Sequence, residues 1–413
     1  MEIDPLCDVA IIGGGPVGLA TACTLKLLNE NLSVCVFEKR DQATRHHPLR
    51  IQSDSINELV RTLQNSPFQS ATKKALCQQL NQWKDRAIST AVIQDQLTFF
   101  ANELGGRILK GEQAEFHKDS FEQFVQKTGA KIVIGADGAK SQVRQAIKAE
   151  LENVFTFSYL LELKFKTASI QERETIQKIA QYSIAEGFDF ETVGKKKDKE
   201  TPITVSLHRF IDKDTHLQLK EKKDQIEKGT SEHPWNIREL DTLAKTRSEV
   251  KAVCTYFHRY FQDHHLTAND YSEDRIATFP IEIYRSSFVA RRVAGAIVLL
   301  AGDASSGLVL ERGVNKGFIE AGLCAQAVAK FFERPVFERS LMDDSTPLPA
   351  EFELYQKQAA SLFFKESRWA RIKFTVLKEA ESAFISFVRL IKLCYPKFSE
   401  MPLKKRALEL SKK

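Results

Sequence analysis

No stretch of this sequence approaches the roughly 20 uninterrupted apolar residues that a membrane-spanning helix needs, so no integral membrane segment is expected. The apolar stretch from Val9 to Leu28 is broken by glycines and preceded by Glu2, Asp4 and Asp8, an acidic lead-in unlike that of a signal peptide. The seven cysteines, Cys7, Cys23, Cys35, Cys77, Cys254, Cys324 and Cys394, include no CxxC pair, and no histidine cluster stands at zinc spacing. A redox dithiol and a metal site are therefore not expected. Thiols of this kind serve as small core hydrophobes and suit a reducing cytoplasm. Charge of one sign is also scarce: 60 basic against 54 acidic residues leave a net charge of +6, too mild an excess to imply a nucleic-acid partner. Internal repeats and low-complexity segments are absent.

What is present is enough apolar sequence, 43% of 413 residues, to bury a sizeable core in two interwoven lobes. Asp8 to Ile12 reads as an apolar strand, Val17 to Leu28 as a helix and Ser33 to Phe37 as a second strand, the pattern that begins a parallel sheet. Helical spacing recurs over Ser53 to Leu63 and Ile93 to Leu104, and Lys131 to Gly135 is a short buried-type strand. From about Leu151 the character changes. Strand-like runs, Phe155 to Phe165 and Thr204 to Phe210, alternate with long polar helical stretches, and Gly194 to Glu200 has no apolar residue and reads as a solvated loop. Val293 to Leu300 is again a continuous apolar run, which returns the chain to the first sheet. The tail beyond Ala350 is helical, with Val376, Ala380, Phe384, Phe387 and Ile391 forming an apolar stripe. That stripe suits packing on the body, while the basic end Lys404-Lys405-Arg406 leaves a peripheral membrane contact open.

The first motif with chemical content is Gly13-x-Gly15-x-x-Gly18, set between strand and helix. There the first glycine permits a tight turn, the second lets backbone approach a pyrophosphate, and the third allows close helix packing. Pro16 and Val17 open the helix whose N-terminus faces the phosphates. Glu38, 20 residues after Gly18, ends the second strand, where a carboxylate accepts hydrogen bonds from a ribose 2′-OH and disfavours a 2′-phosphate. The nucleotide read from this site is FAD or NAD.

Two further motifs decide between them. Ile134-Gly135-Ala136-Asp137-Gly138-Ala139-Lys140-Ser141-x-x-Arg144 and Leu300-Ala301-Gly302-Asp303 resemble, in order and rough spacing, the second and third motifs of class A flavoprotein monooxygenases, the p-hydroxybenzoate hydroxylase superfamily. The resemblance implies FAD, with Asp303 on the ribityl chain and Asp137-Gly138 where the flavin and NAD(P)H pyrophosphates come close. It implies NADPH or NADH as a transient co-substrate, since the chain has a single dinucleotide fingerprint. Glu38-Lys39-Arg40-Asp41, Arg45-His46-His47-x-Leu49-x-Ile51, Ser55-Ile56, Ile88-Ser89 and Gln94-x-x-Leu97 look most like the monooxygenase domain of the MICAL proteins. The calponin-homology and LIM domains of those proteins have no counterpart in this sequence. By this resemblance Lys39, Arg45, Arg50 and Gln94 join the cofactor-binding set, although Arg45 and Arg50 read equally well as surface arginines.

The expected fold is α/β: a Rossmann-type FAD-binding domain in two parts, residues 1–150 and 288–345, an inserted β-sheet plus helix lobe for substrate or partner, residues 151–287, and a helical region, residues 346–413. Family members carry a proline turn and then Gly-x-Asn after the Gly-Asp motif. Here the segment Ala304 to Asn315 lacks the proline, is about two residues short and begins with Ser305-Ser306. Gly313, Val314 and Asn315 stay in the expected flavin-binding set through helix N-terminal groups, and Glu311 with Arg312 suggests an ion pair on the rim. No catalytic side chain is nominated, because in this class the cofactor carries the chemistry. The implied reaction is NAD(P)H-dependent oxygenation of a small molecule or a protein side chain. Phe155, Phe157, Tyr159, Phe188 and Phe190 read either as pocket lining or as core. Two other readings stay open: an FAD-dependent reductase of the geranylgeranyl-reductase type, and an impaired flavin-binding protein whose charged region, Gln171 to Asp274, holds a protein partner.

Overall fold

A computed structural model of the chain describes residues 6–41, 48–111, 120–167, 189–193, 203–220, 222–223, 226–228, 230, 271–308, 312–336 and 346–394. The chain divides into two compact units, Met1–Phe155 with Glu282–Ala370, and Thr156–Ile281 with Arg371–Lys413.

The first unit is built on a six-stranded sheet. Its strand order is Ala290–Val293, Ala296–Leu300, Ile132–Gly135, Val9–Ile12, Val34–Glu38 and Arg107–Lys110. Every neighbouring pair is parallel except the first, a hairpin. The Val9–Ile12, Ile132–Gly135 and Ala296–Leu300 strands are buried along their whole length, as expected of continuous apolar runs covered on both faces. The run expected from Val293 to Leu300 is instead broken at Ala294-Gly295, whose φ values of +55° and +75° make a two-residue hairpin turn. Hydropathy does not register such a turn, because alanine and glycine are both apolar.

The Pro16–Leu28 helix follows the first strand directly, and the Arg312–Glu333 helix packs against it. Gly317 permits that approach: a Cβ there would lie 2.4 Å from Val17 Cγ2. The beginning of the Ala350–Cys394 helix is fastened to the same unit. Tyr355, fully buried, donates to the Leu300 carbonyl at 2.6 Å, and the Gln356 side-chain oxygen accepts from the Val289 and Ala290 amides. Phe352 is buried in the same core, against Phe331, a side chain of this size contributing about 1.5–3 kcal/mol by leaving water.

In the second unit the strands are antiparallel. Ile203–Ile211 lies between Leu151–Thr167 and Asp189–Val193, with Tyr159 opposite Ile211 and Phe190 opposite Leu207. The short helix Lys213–Leu219 starts at Asp212, whose side chain accepts from the Thr215 amide at 2.7 Å. Its His216 is buried, stacks on Tyr159 and meets Thr278 Oγ1 at 2.9 Å. The expected solvated loop at Gly194–Glu200 and most of the region Gln171 to Asp274 lie outside the described residues, as do Phe188 and the basic end Lys404–Arg406. The side chains of Phe190 and of the stripe Val376 to Ile391 are likewise not described. Among the described residues, no helix is long and apolar enough to cross a membrane.

Candidate functional site

The register of the first sheet brings the sequence motifs together. Ile12 stands opposite Gly135 on one side and Phe37 on the other, and Leu300 stands opposite Gly135. Gly13, Glu38, Ala136-Asp137 and Ala301-Gly302 therefore leave the sheet side by side, at the carboxyl ends of parallel strands, where open α/β sheets bind ligands. Backbone bonds continue the alignment past the strand ends: Gly13 N–H to Phe37 O, Ala136 N–H to Ile12 O and Ala301 N–H to Gly135 O, all 2.8–2.9 Å.

Each glycine of the fingerprint has a distinct steric reason. Gly13 has φ +108°, and a Cβ there would sit 2.5 Å from the Ala136 carbonyl oxygen. At Gly18 a Cβ would fall 2.1 Å from the Gly13 carbonyl oxygen, so the helix seats on the turn only with glycine. Gly15 differs: its φ is −74° and nothing lies within 4 Å of an added Cβ. It is the N-cap of the Pro16–Leu28 helix, supplies no capping side chain, and leaves open space at the positive end of the helix dipole. Pro16 occupies the first turn, and Val17 packs toward Gly302 and Gly317.

Gly14, which the fingerprint spacing does not single out, donates to Glu38 Oε2 at 2.8 Å, and Arg40 N–H donates to Glu38 Oε1 at 3.0 Å. Two backbone amides thus aim the Glu38 carboxylate. Gln94 Nε2 donates to the Gly14 carbonyl at 3.0 Å, which ties that side chain to the glycine loop. Lys39 is exposed, and so is the Arg50 side chain. Arg45, His46 and His47 lie outside the described residues.

Asp137 supports the start of the short Gln142–Ala146 helix, whose N-cap is Ser141: its Oδ2 accepts from Gln142 N–H at 2.6 Å and Val143 N–H at 3.4 Å, while Oδ1 is buried without a partner. Burial pushes its carboxyl above the ordinary range, against the downward pull of the Ser141 hydroxyl and the local amides. Gly138, at φ +87°, makes the turn between them. Buried Arg144 joins this motif to the next one: it donates to the carbonyls of Ala139, Asp303 (3.4 Å) and Ala304 (3.2 Å) and lies 5.5 Å from the centre of the Tyr284 ring. Tyr284 Oη donates to the Asp303 carbonyl at 2.9 Å and Ser286 Oγ to the Ala304 carbonyl at 3.0 Å. Nothing in the sequence marks Tyr284 for this place.

The loop after Gly302-Asp303 has its own support. Gly302 adopts φ +64° and donates its N–H to Glu320 Oε2 at 2.8 Å. Ser305 Oγ reaches both Glu320 oxygens, and Lys316 Nζ donates to the Gly302 carbonyl and to Ser306 Oγ at 2.8 Å. Lys316 and Glu320 form an ion pair at 2.9 Å with both side chains wholly buried. Ser305 and Ser306, which follow the Gly302–Ala304 turn, are therefore the residues that meet this pair. Asp303 Oδ1 lies 2.9 Å from where a Cβ on Gly313 would stand, so glycine lets that carboxylate lie against the first turn of the Arg312–Glu333 helix. Val314 is half-buried. Arg312 pairs with Glu366, and its expected neighbour Glu311 lies outside the described residues.

Asn315 is buried, and its side chain serves the protein: Oδ1 accepts from Gln52 N–H and Nδ2 donates to the Arg50 carbonyl, both at 2.8 Å. Asn315→Ala leaves both backbone groups unpaired. The expected cost is about 1–3 kcal/mol, read as a lower midpoint in urea unfolding without change of slope.

Of the other expected features, Phe155 is exposed and Phe157 and Tyr159 are half-buried, Tyr159 against His216. A cavity of about 400 Å³ lined by Ile147, Arg291, Arg292 and Leu348 runs along the edge strand Ala290–Val293, and none of the motif residues above lines it.

Residues 11–48 match the model of an NAD(P)-binding Rossmann-like domain. No curated protein matches the sequence. Among solved structures, the chain is similar to the Diels-Alderase PyrE3 of the pyrroindomycin pathway, at 15% identity over 93% of this chain and 77% of that one, TM-score 0.56. It is similar to OxyS, the anhydrotetracycline hydroxylase of Streptomyces rimosus, at 14% identity over 97% and 74%, TM-score 0.53. A third is the tetracycline destructase Tet(51), at 11% identity over 94% and 98%, TM-score 0.51. At these identities the shared property is the α/β fold.

Proposed function

We propose that the chain is an FAD-dependent monooxygenase of the class A type, using NAD(P)H and O2 on a small-molecule substrate. The observation that carries the reading is the convergence of Gly13–Gly18, Glu38, Asp137-Gly138 and Gly302-Asp303 at one end of the parallel sheet. The residues fit the cofactor. The open space at Gly15, facing a helix N-terminus, suits a pyrophosphate. Glu38, aimed by two amides, suits a ribose hydroxyl. Asp303 suits the hydroxyls of a ribityl chain, and the backbone of Gly313, Val314 and Asn315 at the next helix start suits the ring's carbonyl edge.

The chemistry supplied at this site by FAD is acceptance of a hydride from NAD(P)H and reaction with oxygen. What the chain contributes is position. Arg144 and Tyr284 hold the carbonyls of Asp303 and Ala304. Lys316 and Glu320 hold both sides of the Gly302 turn. OxyS, named a hydroxylase, and Tet(51), named a tetracycline destructase, favour a small molecule over a protein side chain as substrate. Free thiols at Cys7, Cys23, Cys35, Cys77 and Cys324 agree with a cytoplasmic protein.

A second reading is supported by the similarity to PyrE3. That protein is named a Diels-Alderase, so this fold also serves a reaction that is not named as an oxygenation, and function resides in the site and not the fold. The visible spectrum of the purified protein, followed in air, separates the two. Bleaching of a flavin band by NADPH or NADH, then recovery with oxygen consumption, is the expected result. A bound flavin that neither nucleotide reduces with any substrate present sinks the monooxygenase reading and leaves the second. Failure to bind FAD at all sinks the monooxygenase reading as well.

A further inference from the structure

The net charge of +6 is not spread over the chain. Residues 350–413 carry 14 of the 60 basic residues and 7 of the 54 acidic ones, so the rest of the chain is net −1. The beginning of this segment is the Ala350–Cys394 helix, and its first five turns have two opposed faces. Phe352, Tyr355 and Ala359 are buried in the core of the first unit, and Phe363 and Ala370, on the same side of the helix, are buried too. On the other side Leu354, Phe364 and Trp369 are 49%, 52% and 56% exposed, and Lys357, Lys365 and Arg368 are exposed among them. Leu354, Lys357, Phe364 and Arg368 follow one line along the helix at spacings of three and seven and four, with Lys365 and Trp369 next to it. From Leu354 to Trp369 the single acid, Glu366, is paired with Arg312; in the turn before, Glu351 is paired with Arg334 and Glu353 is exposed. Three large apolar side chains exposed on one helix face, each beside a cation, are more than scattered surface hydrophobes.

We propose that this face, Leu354 to Trp369, docks the protein on an anionic lipid surface. The face is one side of a single helix, about 22 Å long from Leu354 to Trp369. Tryptophan and phenylalanine favour the boundary between headgroups and acyl chains, while Lys357, Lys365 and Arg368 extend their charge toward lipid phosphates as their stems cover apolar surface. The basic excess of the whole segment adds attraction to a negative surface and none to a neutral one.

The test is co-sedimentation of the full chain with phosphatidylcholine vesicles with and without phosphatidylserine, at low and high salt. Binding is expected only with phosphatidylserine, weakened by salt, and accompanied by a blue shift in fluorescence that is lost in Trp369→Ala. Replacing Lys357, Lys365 and Arg368 by Gln is expected to weaken it roughly fivefold for each cation, on the order of a hundredfold in all. These positions are exposed, and circular dichroism with a thermal midpoint verifies that the variants fold. Absence of binding to phosphatidylserine vesicles, equal binding to neutral ones, or an unaffected triple variant overturns the proposal. Self-association by light scattering that Trp369→Ala abolishes, with no vesicle binding, also overturns it and assigns the face to a second copy of the chain.

Discussion

Glu320→Gln is expected to destabilise the protein by about 3–5 kcal/mol, the cost of leaving one member of a buried ion pair without its counter-charge. Lys316→Met is expected to cost a similar amount for the mirror reason. Both side chains are wholly buried, so water cannot replace the missing partner. The double variant Lys316→Met with Glu320→Leu removes both charges and is expected to lose less than either single variant, although the Gly302 amide and the Ser305 and Ser306 hydroxyls then lose partners. Urea unfolding of all three gives the coupling energy directly. Additive costs would refute the idea that the pair acts as a unit.

The same pair has a pH signature. Burial raises the Glu320 carboxyl above its ordinary range, with Lys316, Ser305 and the Gly302 amide pulling the other way. Between the ordinary carboxylate value and the raised one, the folded state binds more protons than the unfolded state, so this group's contribution to stability falls as pH rises through that window. Asp137 is raised by burial too and acts in the same direction. Glu320→Gln should remove its share of that slope and leave the Asp137 share. An unchanged slope would show that Glu320 is ionised in the folded state throughout.

Gly15→Ala and Gly18→Ala are expected to fail in different ways. At Gly15 the backbone is ordinary and the space beyond is open, so folding should change by no more than about 0.5 kcal/mol. If that space holds a pyrophosphate, a methyl group there displaces it from the amides. Loss of one charge-assisted hydrogen bond, about 1.5–3 kcal/mol, weakens FAD binding about ten- to hundredfold. At Gly18 the new Cβ would stand 2.1 Å from the Gly13 carbonyl, and helix and turn must separate. Overpacking of about 1–3 kcal/mol or more should then appear as lost stability as well as lost FAD. Titration of each variant with FAD, next to its unfolding curve, makes the comparison. A Gly15→Ala protein that binds FAD like the parent would remove the pyrophosphate from this site.

Much of the first sheet and the glycine turn was determined by the sequence alone, because those constraints are local. Val9–Ile12, Val34–Glu38 and Ile132–Gly135 are buried on both faces, and a strand of that kind reads as an apolar run whatever surrounds it. Gly13 and Gly18 are required by backbone atoms within a few residues or one strand away, so spacing betrays them. Other features depend on partners far away in the chain. Lys316 and Glu320 stand four apart on a helix, a spacing that pairs charges on solvent-facing helix surfaces as readily as buried ones. Their burial is decided by the loop at 302–306 that folds over them. Arg144 reaches carbonyls about 160 positions away, and Asn315 holds backbone 265 positions back at Arg50. The exposed line from Leu354 to Trp369 is likewise invisible in hydropathy, since Phe363 and Phe364 are adjacent and only packing assigns one to the core and the other to solvent. Local chemistry set the turns and strands; burial, which depends on what the rest of the chain brings alongside, decided which charges support the site and which aromatics face outward.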